Sequence, residues 1–165
     1  MNKEINQYFE KKTKELMVTI FNEKTYQENM EYRMENGIQC AYSCFDPLTS
    51  VEKHKGLFVL EANISTNTIK GIGFIKTKED YQCIKIYTNT DYNNYCYTGH
   101  YHIKREDMTE KEEETMKLLD ELCFYGKTHL KRYSGIKRFP RKWIYNLRET
   151  IDLLETITKM FQKRT

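Results

Sequence analysis

The chain has 165 residues, 27 Lys and Arg against 24 Asp and Glu, and a net charge of +3. That length suffices for one domain with its own core, residues 1–165, and 13% aromatic residues exclude a disordered chain. No apolar run approaches the ~20 residues that cross a bilayer, and MNKEINQYFEKK at the start lacks a signal core; the expectation is a soluble cytoplasmic or nuclear protein with no membrane partner.

In chain order, residues 2–16 read as a first helix, with Ile5, Phe9 and Leu16 on one side. Met17–Phe21 (MVTIF) reads as a strand. Thr25 and Glu28 have the spacing of a capping box, so a helix is expected over 26–35, with Tyr26, Met30, Arg33 and Met34 sharing a face and Asn36-Gly37 ending it. Residues 38–45 (IQCAYSCF) read as a strand stopped at Asp46-Pro47. Residues 56–64 and 68–76 read as two strands joined through Ser65-Thr66-Asn67. Gly71 and Gly73 leave bare backbone in the second of these, which suits a bend, a bulge, or the close approach of another chain or a ligand. Residues 81–88 and 101–105 read as strands, with a Tyr- and Asn-rich loop at 89–100 between them. Thr109 and Glu112 form another capping box, opening a helix to about Phe124 that buries Met116, Leu119, Leu122 and Cys123 and turns its Glu residues to solvent. From Pro140 a last helix carries Ile144, Leu147, Ile151, Leu154, Ile157 and Phe161 at helical spacing. The mixed order implies an α+β protein, a curved, largely antiparallel sheet or open barrel surrounded by helices.

Residues 127–148 (KTHLKRYSGIKRFPRKWIYNLR) hold eight cations, Lys127, Lys131, Arg132, Lys137, Arg138, Arg141, Lys142 and Arg148, no acid, and the single Trp. This strip exceeds the net charge of the whole protein, the footprint of a polyanion partner. Tyr42 and the Tyr87–Tyr101 group add aromatic faces, and such faces stack on unpaired bases. The five cysteines (Cys40, Cys44, Cys83, Cys96 and Cys123) form no CxxC pair and read as reduced, buried thiols. No dinucleotide loop, phosphate loop, GxSxG or HExxH is present. His100 and His102 would share one strand face without a placed third ligand, so neither a metal nor another cofactor is expected.

The motif order resembles that of the PUA-like superfamily, within it the YTH and EVE domains that read modified bases. The resemblance is carried by MVTIF and TYQENMEYR, then GIQCAYSC, the hairpin GLFVLEANISTNTIKGIGFIK, the aromatic loop feeding YTGHYHIKRED, and KTHLKRYSGIKRFPRKWI. It covers roughly residues 17–157, and YTH domains carry Trp in their cage where this chain has Tyr42 or Cys40 and the Tyr92–Tyr97 group. The bias toward Lys, Asn, Ile and Tyr is also similar to that of proteins of large DNA viruses, which implies a host-cell cytoplasmic setting. The resemblance implies a non-catalytic nucleic-acid reader, RNA before DNA, that holds a flipped base. The base pocket is expected at Cys40, Tyr42, Ser43, Asn63, Tyr92, Tyr95 and Tyr97. Phosphate contacts are expected at Lys127, Lys131, Arg132, Lys137 and Arg138. Two alternatives stay open: an ASCH-type amidohydrolase or nuclease, with Lys70, Thr68 and Glu61 as nominal candidates, and a virion-structural or protein-interaction module.

Overall fold

A computed structural model describes residues 2–48, 55–77, 85–126 and 135–165. Helix α1 (Lys3–Glu10) is capped by Asn2 and ends well before residue 16, because strand β1 (Lys14–Phe21) starts three residues before the MVTIF run. Helix α2 (Glu23–Asn36) also begins early: its N-cap is Asn22, and Thr25 is the third helical residue, closing the capping box with Asn22. Gly37 ends it with φ +61°, the left-handed conformation that glycine adopts without a Cβ penalty. Strand β2 (Cys40–Cys44) follows, then the hairpin of β3 (Gly56–Asn63) and β4 (Thr68–Lys76), whose turn places Asn67 at φ +53°.

Residues 89–100 are not a loop. They contain a 3₁₀ turn (Thr90–Asn93) and strand β5 (Tyr95–Gly99), which leads directly into β6 (Tyr101–Lys104). Of the strand expected over 81–88, residues 81–84 lie outside the described residues, and 85–88 form no strand. The Asn93 side chain takes the place of a strand partner there. Its Oδ1 accepts from the Ile86 and Tyr87 N–H groups at 3.0 Å each, and its Nδ2 donates to the Tyr87 carbonyl at 2.8 Å. Helix α3 (Glu110–Phe124) starts at the expected Thr109/Glu112 box. Strand β7 (Gly135–Arg138) lies inside the basic strip, where only Ile136 is buried and no alternation marks it. The terminal helix is two, α4 (Arg141–Leu147) and α5 (Leu153–Gln162), because Asp152 caps the second through the Glu155 N–H at 3.1 Å.

The strands form an open five-stranded sheet, ordered β6-β4-β3-β1-β7, and a separate antiparallel pair, β2-β5. The sheet is mixed: β1 and β3 run parallel, and the other pairs are antiparallel. It has two edges, β6 and β7, and does not close into a barrel. Alternation along the strands gives two apolar layers. On one face Leu16, Val18, Phe58, Leu60 and Ile72 pack against α1, α3, α4 and α5. On the other, Met17, Phe21, Leu57, Val59 and Ile75 are covered by β2 and β5, with Tyr26 and Tyr32 of α2 beside them. Among the described residues no helix is long and apolar enough to cross a membrane.

Candidate functional site

The inward face of α2 is polar. Asn29 and Arg33 are its buried residues, whereas Met34, expected on that face, is 80% exposed. Arg33 reaches Glu61, a β3 carboxylate buried at the middle of the sheet, and forms an ion pair with its Oε2. The Tyr42 hydroxyl donates to the same oxygen at 2.8 Å, and His102 Nε2 lies 2.9 Å from Oε1. Burial pushes the Glu61 carboxyl upward, but the Arg33 and His102 partners outweigh it and hold the group below the ordinary carboxylate range. Burial and the neighbouring Glu61 charge together raise the Tyr42 hydroxyl well above its ordinary value, so it remains a donor.

The backbone is shaped to admit this cluster. Leu60 pairs with Ile72 and Ala62 with Ile69, so Glu61 alone faces Lys70 and Gly71, a β-bulge. A Cβ on Gly71 would lie 2.8 Å from the Ile103 carbonyl oxygen, 3.0 Å from His102 Nε2 and 3.1 Å from Glu61 Oε1, and one on Gly73 would overlap the Tyr42 hydroxyl. The close approach at the two glycines is therefore by the chain's own groups: the β6 backbone with the His102 and Glu61 side chains at Gly71, and the Tyr42 ring at Gly73. Beyond the bulge a groove of about 520 Å³ opens, lined by Tyr26, Met30, Thr68, Lys70, His102 and Lys104 among others.

A second feature lies at the opposite edge of the sheet. Between β7, the end of β2 and the 3₁₀ turn is a cleft of about 360 Å³, lined by Phe45, Leu48, Asp91, Tyr92, Lys137 and Arg138 among others. Phe45 is 54% exposed. Past Tyr92 and Gly135 the cleft adjoins a hollow of about 180 Å³ that Phe21, Ser43 and Tyr87 help to line. The Ser43 hydroxyl donates to the Tyr92 carbonyl and so ties β2 to the turn carrying that ring.

The residues expected to form a base pocket do not converge on one cavity. Tyr42 and Tyr97 are cross-strand partners buried in the second core layer, and neither ring offers a free face. The Tyr97 hydroxyl accepts from the Leu48 N–H at 2.9 Å. Cys40 is buried with its thiol toward the Phe74 and Tyr101 carbonyls, and burial pushes that thiol up to about 11. Asn63 holds the hairpin, accepting from Ser65 N–H at 2.9 Å and donating to Glu23 at 3.1 Å. Tyr95 is partly buried against the same core layer. Ser43 and Tyr92 do line an opening, and Phe45, which the sequence reading passed over, joins Tyr92 there.

Of the expected phosphate contacts, Lys127, Lys131 and Arg132 lie outside the described residues. Lys137 is exposed on β7. Arg138 turns to the buried Glu15, with Nε 3.2 Å from Oε1, and Arg141 holds the same carboxylate through two bonds of 2.9 and 2.8 Å. Lys55 completes the cluster at 3.2 Å. The strip is thus partly structural: two of its cations anchor β7 and α4 to β1. Glu112, expected in solvent, is buried and bonded by Arg164 at 2.7 and 2.9 Å. Among the described residues no group of three His, Cys, Asp or Glu could hold a metal ion. Comparison with family models, curated proteins and solved structures found no match.

Proposed function

We propose that the protein binds single-stranded nucleic acid, RNA before DNA, and seats an unstacked base in the cleft beside β7. The reading rests on one observation: two aromatic residues, Phe45 and Tyr92, and the cation-bearing strand of Lys137 and Arg138 line the same hollow. A base needs an aromatic face and its phosphate needs a nearby cation, and a cleft of about 360 Å³ has room for a nucleotide. Lys137 extends outward, while Arg138 adds positive potential from its seat on Glu15. In the sequence this strand continues the strip that holds Lys127, Lys131 and Arg132. Relative to the pocket expected around Tyr42 and Tyr97, the stacking role passes to Phe45 and Tyr92, and Tyr97 holds the lining residue Leu48 from behind.

Fluorescence anisotropy with a labelled single-stranded RNA, run across a salt series, tests the reading. Phe45→Ala and Tyr92→Ala are each expected to weaken binding by about 1–3 kcal/mol, the range for one lost base stack. Lys137→Ala should flatten the slope of log affinity against log salt by about 0.7, one released counterion on a single strand. Failure of the wild-type chain to bind at low salt, or a Phe45→Ala/Tyr92→Ala double variant that binds as tightly as wild type, overturns it.

A further inference from the structure

We infer that the groove behind the Glu61 bulge is a second, catalytic site, in which His102 moves a proton on a bound phosphodiester while Glu61 holds the imidazole in place. The inference rests on the proposal that RNA is the ligand, and adds chemistry at a different site. Three observations carry it. The first is orientation: His102 Nε2 faces the buried, ionised Glu61 at 2.9 Å, so that nitrogen carries the hydrogen it donates. With the hydrogen on Nε2, the lone pair of an uncharged imidazole is on Nδ1, which has no hydrogen-bond partner among the described residues, and His102 lines the groove. The Arg33 Nη1 contact with Nε2 at 3.3 Å is, with this tautomer, an approach of two donors, and Arg33 makes its hydrogen bond to Glu61.

The second observation is the cost of the arrangement. A bulge, a glycine without room for a Cβ, and a buried carboxylate with three partners together fix one imidazole at the wall of an open groove. A carboxylate that orients a histidine lining a groove, with 7% of its side chain exposed there and its other nitrogen unbonded among the described residues, is the arrangement of a general base and its positioning group.

The third is the lining. Lys70 and Lys104 bring positive charge to the groove, Arg105 is paired with Glu113 and Asp120, and Glu106 is the acid left over. The Thr68 hydroxyl shares a hydrogen bond with that of Thr66 at 2.8 Å. A substrate that brings its own nucleophile fits this set, and the RNA 2′-hydroxyl is one. His102 Nδ1 takes the 2′-hydroxyl proton, the 2′-oxygen bonds to phosphorus, and the bond from phosphorus to the 5′-oxygen breaks. The leaving 5′-oxygen takes a proton from water, and the hydroxide so formed takes the proton back from His102. The products are a 2′,3′-cyclic phosphate and a 5′-hydroxyl.

The full chain is incubated, in excess chelator, with a labelled oligoribonucleotide, its all-deoxy counterpart, and a dinucleoside monophosphate too short to need the cleft. Cleavage of both RNA substrates to cyclic phosphate ends, with the deoxy strand intact, is expected. His102→Gln retains an amide that can donate to Glu61 but has no basic nitrogen, so it should fold and lose at least about 100-fold in rate. Glu61→Gln should lower the rate and displace the pH–rate profile, which a purely structural role would leave in place. Uncut RNA substrates, an equally cut deoxy strand, or wild-type rates from a folded His102→Gln variant overturn the inference. Strand binding without any cleavage sinks this site and leaves the cleft reading standing, whereas cleavage of the dinucleotide without strand binding does the reverse.

Discussion

Gly73 and Tyr42 show how closely the Glu61 cluster is fitted. With no Cβ at 73, the Tyr42 hydroxyl lies against the β4 backbone and reaches Glu61 at 2.8 Å. Gly73→Ala forces the ring away and leaves a buried carboxylate one donor short, so it is expected to destabilise the fold by about 2–4 kcal/mol, overpacking and the lost bond together. Tyr42→Phe removes the bond without the clash and should cost about 1–2 kcal/mol. Urea midpoints of the two variants check this, and Tyr42→Phe proving the more harmful would contradict the fitted contact. The sequence made the Gly71 and Gly73 gap legible as a close approach but hid what approaches. Arg33, Tyr42, Glu61 and His102 stand on α2, β2, β3 and β6, and no local spacing links residues that only the sheet brings together. The same holds for Glu15, whose three cations come from two distant places in the chain, Lys55 and the Arg138/Arg141 pair.

At the scale of elements, local signals define those segments whose partners are near in sequence. Strand β4 and the start of α3 follow directly from alternation and from Thr109/Glu112. Helix α2 offers two caps of equal local merit: Asn22/Thr25 and Thr25/Glu28 have the same spacing, and the chain uses the first. Glu28 instead accepts from the Thr88 N–H and hydroxyl. Asn22→Ala is therefore expected to cost about 1 kcal/mol as a lost cap, and Glu28→Ala should leave the α2 terminus intact. Thermal unfolding followed by helical circular dichroism separates them, and equal losses would mean that the helix starts where Thr25 would cap it. Strands β5 and β7 escaped for different reasons. At β5 the Tyr residues and the Asn residues just before it imitate a loop, yet Tyr95–Gly99 pair with β2 in a ladder formed between segments far apart in the chain. In β7 a single buried residue, Ile136, leaves no period to detect, and the charges that marked the strip as a surface conceal a strand anchored through Arg138.

For the whole molecule the three buried carboxylates among the described residues give stability a definite dependence on acid. Glu15, Glu61 and Glu112 are all held below their ordinary value in the folded chain. The unfolded chain therefore binds more protons than the folded one as pH falls below the ordinary carboxylate value of 4.5. Their contribution is complete above that value and is lost as pH drops through the folded values. Glu112 offers the cleanest test, because the hydrogen bonds from Arg164 chiefly hold it down, to about 2. This pair also joins the first turn of α3 to the segment after α5, so it closes the helical layer at the chain's end. Arg164→Ala should return the Glu112 carboxyl toward 4.5 and remove on the order of 1–2 kcal/mol at pH 6, a value reduced by the partial exposure of Arg164 and by the remaining Lys163 contact. Urea titrations of both proteins from pH 6 down to pH 2 should find the gap between them constant to about pH 4.5 and shrinking steadily below it. A gap that persists unchanged at pH 2 would mean that Arg164 stabilises the layer by packing alone and that the Glu112 charge contributes nothing to it.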